Sequence, residues 1–250
     1  MKGALMKFPF DASPVEHPVG CHPSTLFGGL PALTSIQAHF DPQPLSQFEI
    51  LESLIRIIRA KDPRIHEHGS RTAQFAVALG RAIDLSGAEL VHLHFAALFH
   101  DIGKLALPEE LLHKEGPLTS EEYELVQCHP RSGAELLAGI PFLHTPALWI
   151  AHHHERWDGS GYPYGLRGLH IPLGSRILAV ADLFDALLSE SSSRPPQGTN
   201  SVLNLLRVVA GSQLDPMLVE RFVTLSCLPK WTTSVEQEDD HDEVNGHTPN

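Results

Sequence analysis

The sequence predicts an all-α fold. Apolar residues recur at three- and four-residue spacings from Ser46 to about residue 226. Two capping-box pairs, Ser86 with Glu89 and Thr119 with Glu122, stand just ahead of apolar-periodic runs. No convincing run of alternating strand residues interrupts them, and no internal repeat is visible. With 250 residues, of which 42% are hydrophobic and 19% charged, the chain can bury a substantial core.

The elements follow in order. "SQFEILESLIRIIRAKD" places Phe48, Leu51, Leu54, Ile55 and Ile58 along one face, and Pro63 ends the run. "RTAQFAVALGRAI" repeats the pattern with Phe75, Ala76, Leu79 and Ile83. "SGAELVHLHFAALFHDIGK" directs Leu90, Leu93, Ala97 and Leu98 inward, with Gly103 as its expected end. "TSEEYELVQCHP" stops before Pro130, and "SGAELLAGI" and "TPALWIAHHHE" supply two further helices. "PLGSRILAVADLFDALLSE" enters at Pro172 and presents Ile177, Val180, Leu183 or Phe184, and Leu187. Residues 200–226 add one or two more. This gives about eight or more helices in one domain spanning 46–228, since no linker divides that stretch.

The flanks differ. Residues 1–45 are rich in Pro, Gly and Ser and are expected to form a flexible arm. His17, Cys21 and His22 are taken as scattered loop residues within it. Beyond Lys230 there are six acids and no Lys or Arg, so residues 229–250 are expected to be a solvated, disordered acidic tail. The net charge of -12 argues against a nucleic-acid or anionic-membrane binder. A nucleotide substrate remains compatible with it, because bound cations invert the local field. Three widely spaced cysteines predict no disulfide framework and a reducing compartment. There is no signal-like or membrane-spanning run, so a cytoplasmic protein is expected.

Ligand-type residues gather at the predicted helix ends: His68, His100 with Asp101, His129, the run His152 to His154, and Asp182. Taken singly, each has an ordinary structural explanation as a cap or a satisfied core group. His100 and Asp101 are harder to account for, because they follow the apolar "FAALF" and an unpaired buried carboxylate is costly. A metal ion would satisfy both. Adjacent helical residues diverge by roughly 100°, which a carboxylate bridging two ions would accommodate. Five imidazoles and two carboxylates also exceed what one ion with an open position would take. Mixed nitrogen and oxygen donors suit Fe, Mn, Ni, Co or Zn and disfavour calcium.

"HDIGK" at 100–104, "HP" at 129–130, "HHERWDGSGYP" at 153–163 and "ILAVADLFDAL" at 177–187 together resemble the HD-GYP family, a branch of the HD-domain metal-dependent phosphohydrolases. The match runs from about residue 62 to 225. The resemblance implies an all-helical HD-type bundle that hydrolyses cyclic di-GMP to pGpG or onward to GMP at a two- or three-metal centre, often of iron or manganese. It further implies one ion on His68, His100, Asp101 and Asp182, and a second on Asp101, His129, His153 and His154. His152 is then only the residue before the ligands. Asp101 and Lys104 would serve catalysis, Lys104 by steadying phosphate or relaying a proton. Tyr162 and Trp157 could line the rim and stack on guanine, and Arg176 and Arg194 are candidate phosphate contacts. Each of these four also has an ordinary reading, as packing for the aromatics and as surface ion pairs for the arginines. The Gly-Tyr-Pro loop, turned by Gly159, Gly161 and Gly165, is associated in the family with GGDEF-domain partners.

Two departures qualify the resemblance. Trinuclear members carry a glutamate four residues before the early histidine, where this chain has Arg64, so two ions are expected rather than three. After the distal aspartate, family members often read "SDRPYR", whereas this chain reads "SESSSRPPQGTN" with Ser191 and Ser193 in place of a basic and an aromatic residue. Two alternatives therefore stand: a phosphohydrolase of another nucleotide, or a non-catalytic cyclic-dinucleotide sensor or GGDEF-docking module.

Overall fold

The computed structural model describes residues 45–189 and 198–226, and these are all-helical. In chain order the α-helices are α1 (Gln47–Lys61), α2 (Pro63–Ala82), α3 (Gly87–Phe99), α4 (Glu109–Leu112) and α5 (Ser120–Val126), followed by α6 (His129–Ala138), α7 (His144–Ala151), α8 (Leu173–Leu188), α9 (Thr199–Val209) and α10 (Pro216–Ser226). Short 3-10 turns cover Ile102–Ala106, Pro141–Leu143 and Gly168–His170. Among the described residues the only β-type pairing is one isolated bridge between Ala210 and Leu214. The arm, the acidic tail, Arg194 and the Ser191–Ser193 stretch lie outside the described residues.

Local chemistry sets the helix starts. Ser46, Ser86 and Thr119 each cap a helix in a reciprocal box with a glutamate three residues on, an arrangement in which the cap alone is worth about 1 kcal/mol. Asp62 closes α1 and opens α2, accepting the Arg64 N–H at 2.9 Å with Pro63 at the first helical position. This cap starts α2 eight residues earlier than apolar periodicity alone suggests, so His68 lies inside a helix. α3 ends at Phe99, ahead of Gly103, which sits within the following 3-10 turn. Phe48, expected on the buried face of α1, is 72% exposed, leaving Ile58 as that helix's buried anchor.

α2 packs along α3 and α8, while α6 and α7 pair, α7 lying against α3 and α6 against the 3-10 turn at Ile102–Ala106. The core on the α10 side is an aromatic cluster. Phe184 stands edge-on to Phe75 at 4.9 Å and to Phe222 at 4.8 Å between ring centroids, and all three are buried. Fully burying a side chain of this size contributes roughly 1.5–3 kcal/mol.

Two glycines bring the ends of these helices together. A Cβ on Gly69 would lie 2.5 Å from the Leu98 carbonyl oxygen, so α2 and α3 meet backbone to backbone beside His68 and His100. A Cβ on Gly103 would collide with the His129 carbonyl, so the turn after Asp101 lies against the first residue of α6.

Candidate metal centre

The contact at Gly69 sets the His68 and His100 rings edge to face at 4.9 Å between centroids. The contact at Gly103 brings Asp101 Oδ1 to 3.3 Å from His129 Nε2. His153 and His154 sit in the turn just past α7, where His153 Nε2 comes within 3.4 Å of His129 Nε2. From α8, Asp182 Oδ1 lies 3.0 Å from His68 Nε2 and 3.6 Å from His100 Nε2. Residues separated by more than a hundred positions thus converge on one place. The ligand atoms fall into three overlapping groups, each within 4.8 Å: His68, His100 and Asp101; His100, His153 and Asp182; His129, His153 and His154.

The hydrogen bonds fix which ring nitrogens face inward. Nδ1 of His100, His129 and His153 lies 2.8, 2.7 and 2.7 Å from the carbonyl oxygens of Ala97, Val126 and Ile150 respectively. A carbonyl only accepts, so each Nδ1 donates, which leaves each Nε2 turned toward the centre. Burial pushes His129 down to about 3 and His153 down to about 4, so both rings are neutral near pH 7. Two buried nitrogen lone pairs, those of His129 and His153, therefore face each other at 3.4 Å with no proton between them. Such a pair needs an electrophile, and the donor set of imidazole and carboxylate fits a divalent transition-metal ion.

The carboxylates complete the cage. Burial opposes the ionisation of Asp101, but the neighbouring charges, Lys104 first among them, outweigh it and hold its carboxyl well below the usual range. Asp182 behaves in the same way: burial raises it, and the neighbouring imidazoles of His100 and His68 lower it further than burial raises it. Burial works against the His68 cation, yet bonds to Asp182 and Asp185 raise that imidazole to about 10. The two oxygens of Asp101 face different neighbours, Oδ1 toward His129 and Oδ2 toward His100 at 3.5 Å and Lys104 at 2.6 Å. Its two oxygens thus serve opposite sides of the cluster.

The remaining predicted residues divide. His152 turns away, bonding the Leu148 carbonyl at 2.7 Å and lying beside Tyr164. Tyr162 lies 4.9 Å from the His154 ring at 31°, over the centre, and burial pushes its phenol up. Arg176 is engaged elsewhere: it donates to Asp215 at 2.5 Å and to the Ile171 carbonyl at 3.0 Å, and its guanidinium stands 5.9 Å from the Trp157 ring centre. Arg64 forms a two-pronged pair with Asp62 at 2.9 and 3.0 Å and also contacts His113.

Three supporting acids escaped the sequence reading. Asp185 backs His68, Asp215 holds Arg176, and Glu155 accepts the N–H groups of Tyr164 and Leu166 at 2.8 and 2.9 Å, stapling the Gly-Tyr-Pro loop. Asp185 alone left a trace in the sequence, as the second acid at i, i+3 from Asp182 on a helix.

The HD domain family model matches residues 52–218. The chain belongs to the HD-domain family. This HD domain is 36% identical over 180 residues to a cyclic di-GMP phosphodiesterase of Thermotoga maritima, covering 71% of this chain and 49% of that one. It is 40% identical over 174 residues to a cyclic di-GMP phosphodiesterase response regulator of Xanthomonas campestris, covering 69% and 46%. It is 36% identical over 171 residues to a 3'3'-cGAMP-specific phosphodiesterase of Vibrio cholerae, covering 68% and 40%. The chain thus spans about half or less of the length of these curated relatives. Among solved structures, a cyclic GMP-AMP specific phosphodiesterase of V. cholerae superposes with a TM-score of 0.58 at 23% identity, covering 75% of this chain and 51% of that one. The HD domain of the L. monocytogenes phosphodiesterase PgpH, in complex with cyclic-di-AMP, gives 0.53 at 16% identity, covering 78% and 100%. Both show the same fold. No described helix of this HD domain is long and apolar enough to cross a membrane.

Proposed function

We propose that this HD domain is a binuclear metal-dependent phosphodiesterase that hydrolyses cyclic di-GMP to pGpG, and onward to GMP. The observation that carries the reading is the facing pair of lone pairs on His129 and His153, set beside two ionised carboxylates. His68, His100, Asp101 and Asp182 would hold one ion, and Asp101, His129, His153 and His154 the other, with Asp101 shared. Iron or manganese suits this mixed set best, and nickel, cobalt or zinc also fits. Arg64, locked onto Asp62, brings a cation to the position one helical turn before His68, which supports two ions rather than three.

Two bound cations would supply the Lewis acidity that makes water a nucleophile near neutral pH and offsets charge on the phosphoryl oxygens. Attack at phosphorus breaks one ribose P–O bond of the ring; the leaving oxygen takes a proton, giving a linear dinucleotide. Asp101 and Asp182 hold the electrophilic face of the site in place. Lys104 keeps its proton, because its pairing with Asp101 raises it despite burial. Beside Asp101 it would steady the phosphate or relay a proton. Tyr162, over His154, is placed to meet a base at the rim.

Similarity to relatives named for cyclic di-GMP supports the substrate class. The relative named for 3'3'-cGAMP, together with the departure at Ser191 and Ser193, motivates a second reading: another cyclic dinucleotide. A GGDEF-domain partner at the Gly-Tyr-Pro loop, a cytoplasmic location and the absence of nucleic-acid or membrane partners complete the proposal. The test is a substrate panel with iron- or manganese-loaded protein. Cleavage of cyclic di-GMP ahead of 3'3'-cGAMP and linear nucleotides is expected, and Asp101→Ala should abolish turnover and lower metal content. Faster cleavage of another nucleotide would select the second reading. Tight binding of cyclic di-GMP without hydrolysis would make the domain a sensor.

A further inference from the structure

Four imidazoles of the centre have defined Nδ1 contacts, and they are not supported alike. His100, His129 and His153 each donate Nδ1 to a carbonyl three residues back in their own turn, so each is oriented by a dipole. His68 donates instead to a carboxylate: Nδ1 lies 2.6 Å from Asp185 Oδ2. The Asp185 side chain is 2% exposed, and it also pairs with Arg71, with Nε at 2.7 Å from Oδ1 and Nη2 at 3.1 Å from Oδ2. An ionised group behind an imidazole fixes its tautomer and raises the basicity of the opposite nitrogen. That opposite nitrogen, Nε2, is the one that meets Asp182 in the centre.

The two acids share one helix. Asp182 and Asp185 stand three residues apart on α8, so one turn supplies both the acid that enters the centre and the acid behind His68. The other end of the centre has three imidazoles and only the shared Asp101. Negative charge is therefore concentrated at the His68 end.

We infer that Asp185 is a positioning residue that makes the His68 end of the centre hold its ion more tightly than the His129 end. The inference rests on the two-ion reading above. The ions load in order, with the His68 end filling first as free metal rises.

Manganese titration of the full chain, with bound metal measured after removal of the excess, tests this. Wild-type protein is expected to bind two ions per chain in two separable steps. Asp185→Asn keeps the size and an acceptor oxygen but removes the charge; it should weaken the tighter step about 10–100-fold and leave the weaker step unmoved. Arg71→Ala keeps the His68–Asp185 contact and should retain both steps within about threefold. If Asp185→Asn binds both ions as wild type does, the inference falls. It also falls if Arg71→Ala reproduces the Asp185→Asn loss, because the carboxylate would then act only through its ion pair. A wild-type chain that binds no manganese, iron or zinc would instead overturn the two-ion reading itself.

Discussion

Lys104 Nζ lies 2.6 Å from Asp101 Oδ2, on the carboxylate whose other oxygen lies 3.3 Å from His129 Nε2. One acid thus touches a fixed ammonium on one side and the imidazole cluster on the other. The 3-10 turn at 102–106 makes this possible, because it folds Lys104 back over the residue three before it.

Replacing Lys104 should separate charge support from metal retention. Lys104→Met is expected to keep the metal content of wild type while lowering kcat by roughly 10²–10³. Lys104→Arg should recover part of that loss, since it keeps the charge but not the compact geometry. Metal analysis alongside steady-state rates checks this. Loss of metal from Lys104→Met would mean that the ammonium holds Asp101 in place rather than the phosphate.

The metal-free protein should be most stable near pH 6.5. His129 and His153 are depressed to about 3 and about 4, so below 6.5 the unfolded chain takes up protons that the folded one refuses, and stability falls as pH falls. His68 is raised to about 10, so its contribution is complete below 6.5 and is lost as pH rises toward 10. The lowered carboxyls of Asp101 and Asp182 steepen the acid side below 3.8. Urea midpoints after chelation, taken from pH 4 to 10, give the profile. A flat plateau between 6.5 and 9 would contradict the His68 assignment. Bound metal should flatten the alkaline arm by replacing the His68 proton.

Gly103→Ala should damage the centre without touching a ligand. Its added methyl meets the His129 backbone, which cannot yield without moving α6. Overpacking of this kind costs about 1–3 kcal/mol. The expected result is a lowered unfolding midpoint together with weaker metal binding, because Asp101 and His129 are pushed apart. A destabilised variant with unchanged metal affinity would show that the contact serves only packing.

Much of the centre was legible in the sequence because its parts carry strong local marks. His100 and Asp101 close an apolar helix, and His153 and His154 follow another, so their chemistry stands out against nonpolar surroundings. The start of α2 was misplaced because "PRIHEHGS" has no apolar rhythm; its helicity comes from the Asp62 cap and from burial against α3. Asp185, Asp215 and Glu155 were missed for a different reason. Each has a partner distant in sequence or in a loop, and nothing local distinguishes a buried acid from a solvated one until the chain folds. Arg176 belongs to the same class: a candidate for phosphate by charge alone, it faces Asp215 in the structure.

The Gly-Tyr-Pro segment is moored on the far side as well. Trp157 N–H bonds the Gln213 carbonyl at 3.0 Å and Asp158 N–H the Ser212 carbonyl at 2.8 Å, while Arg176 reaches Asp215. The turn between the last two helices thus furnishes no candidate ligand yet braces the stretch on which two of them ride. A shortened version cut after Asp182 would retain all seven candidate ligands and still forfeit the geometry. Any attempt to transplant this candidate centre onto another scaffold must carry the chain through Ser226.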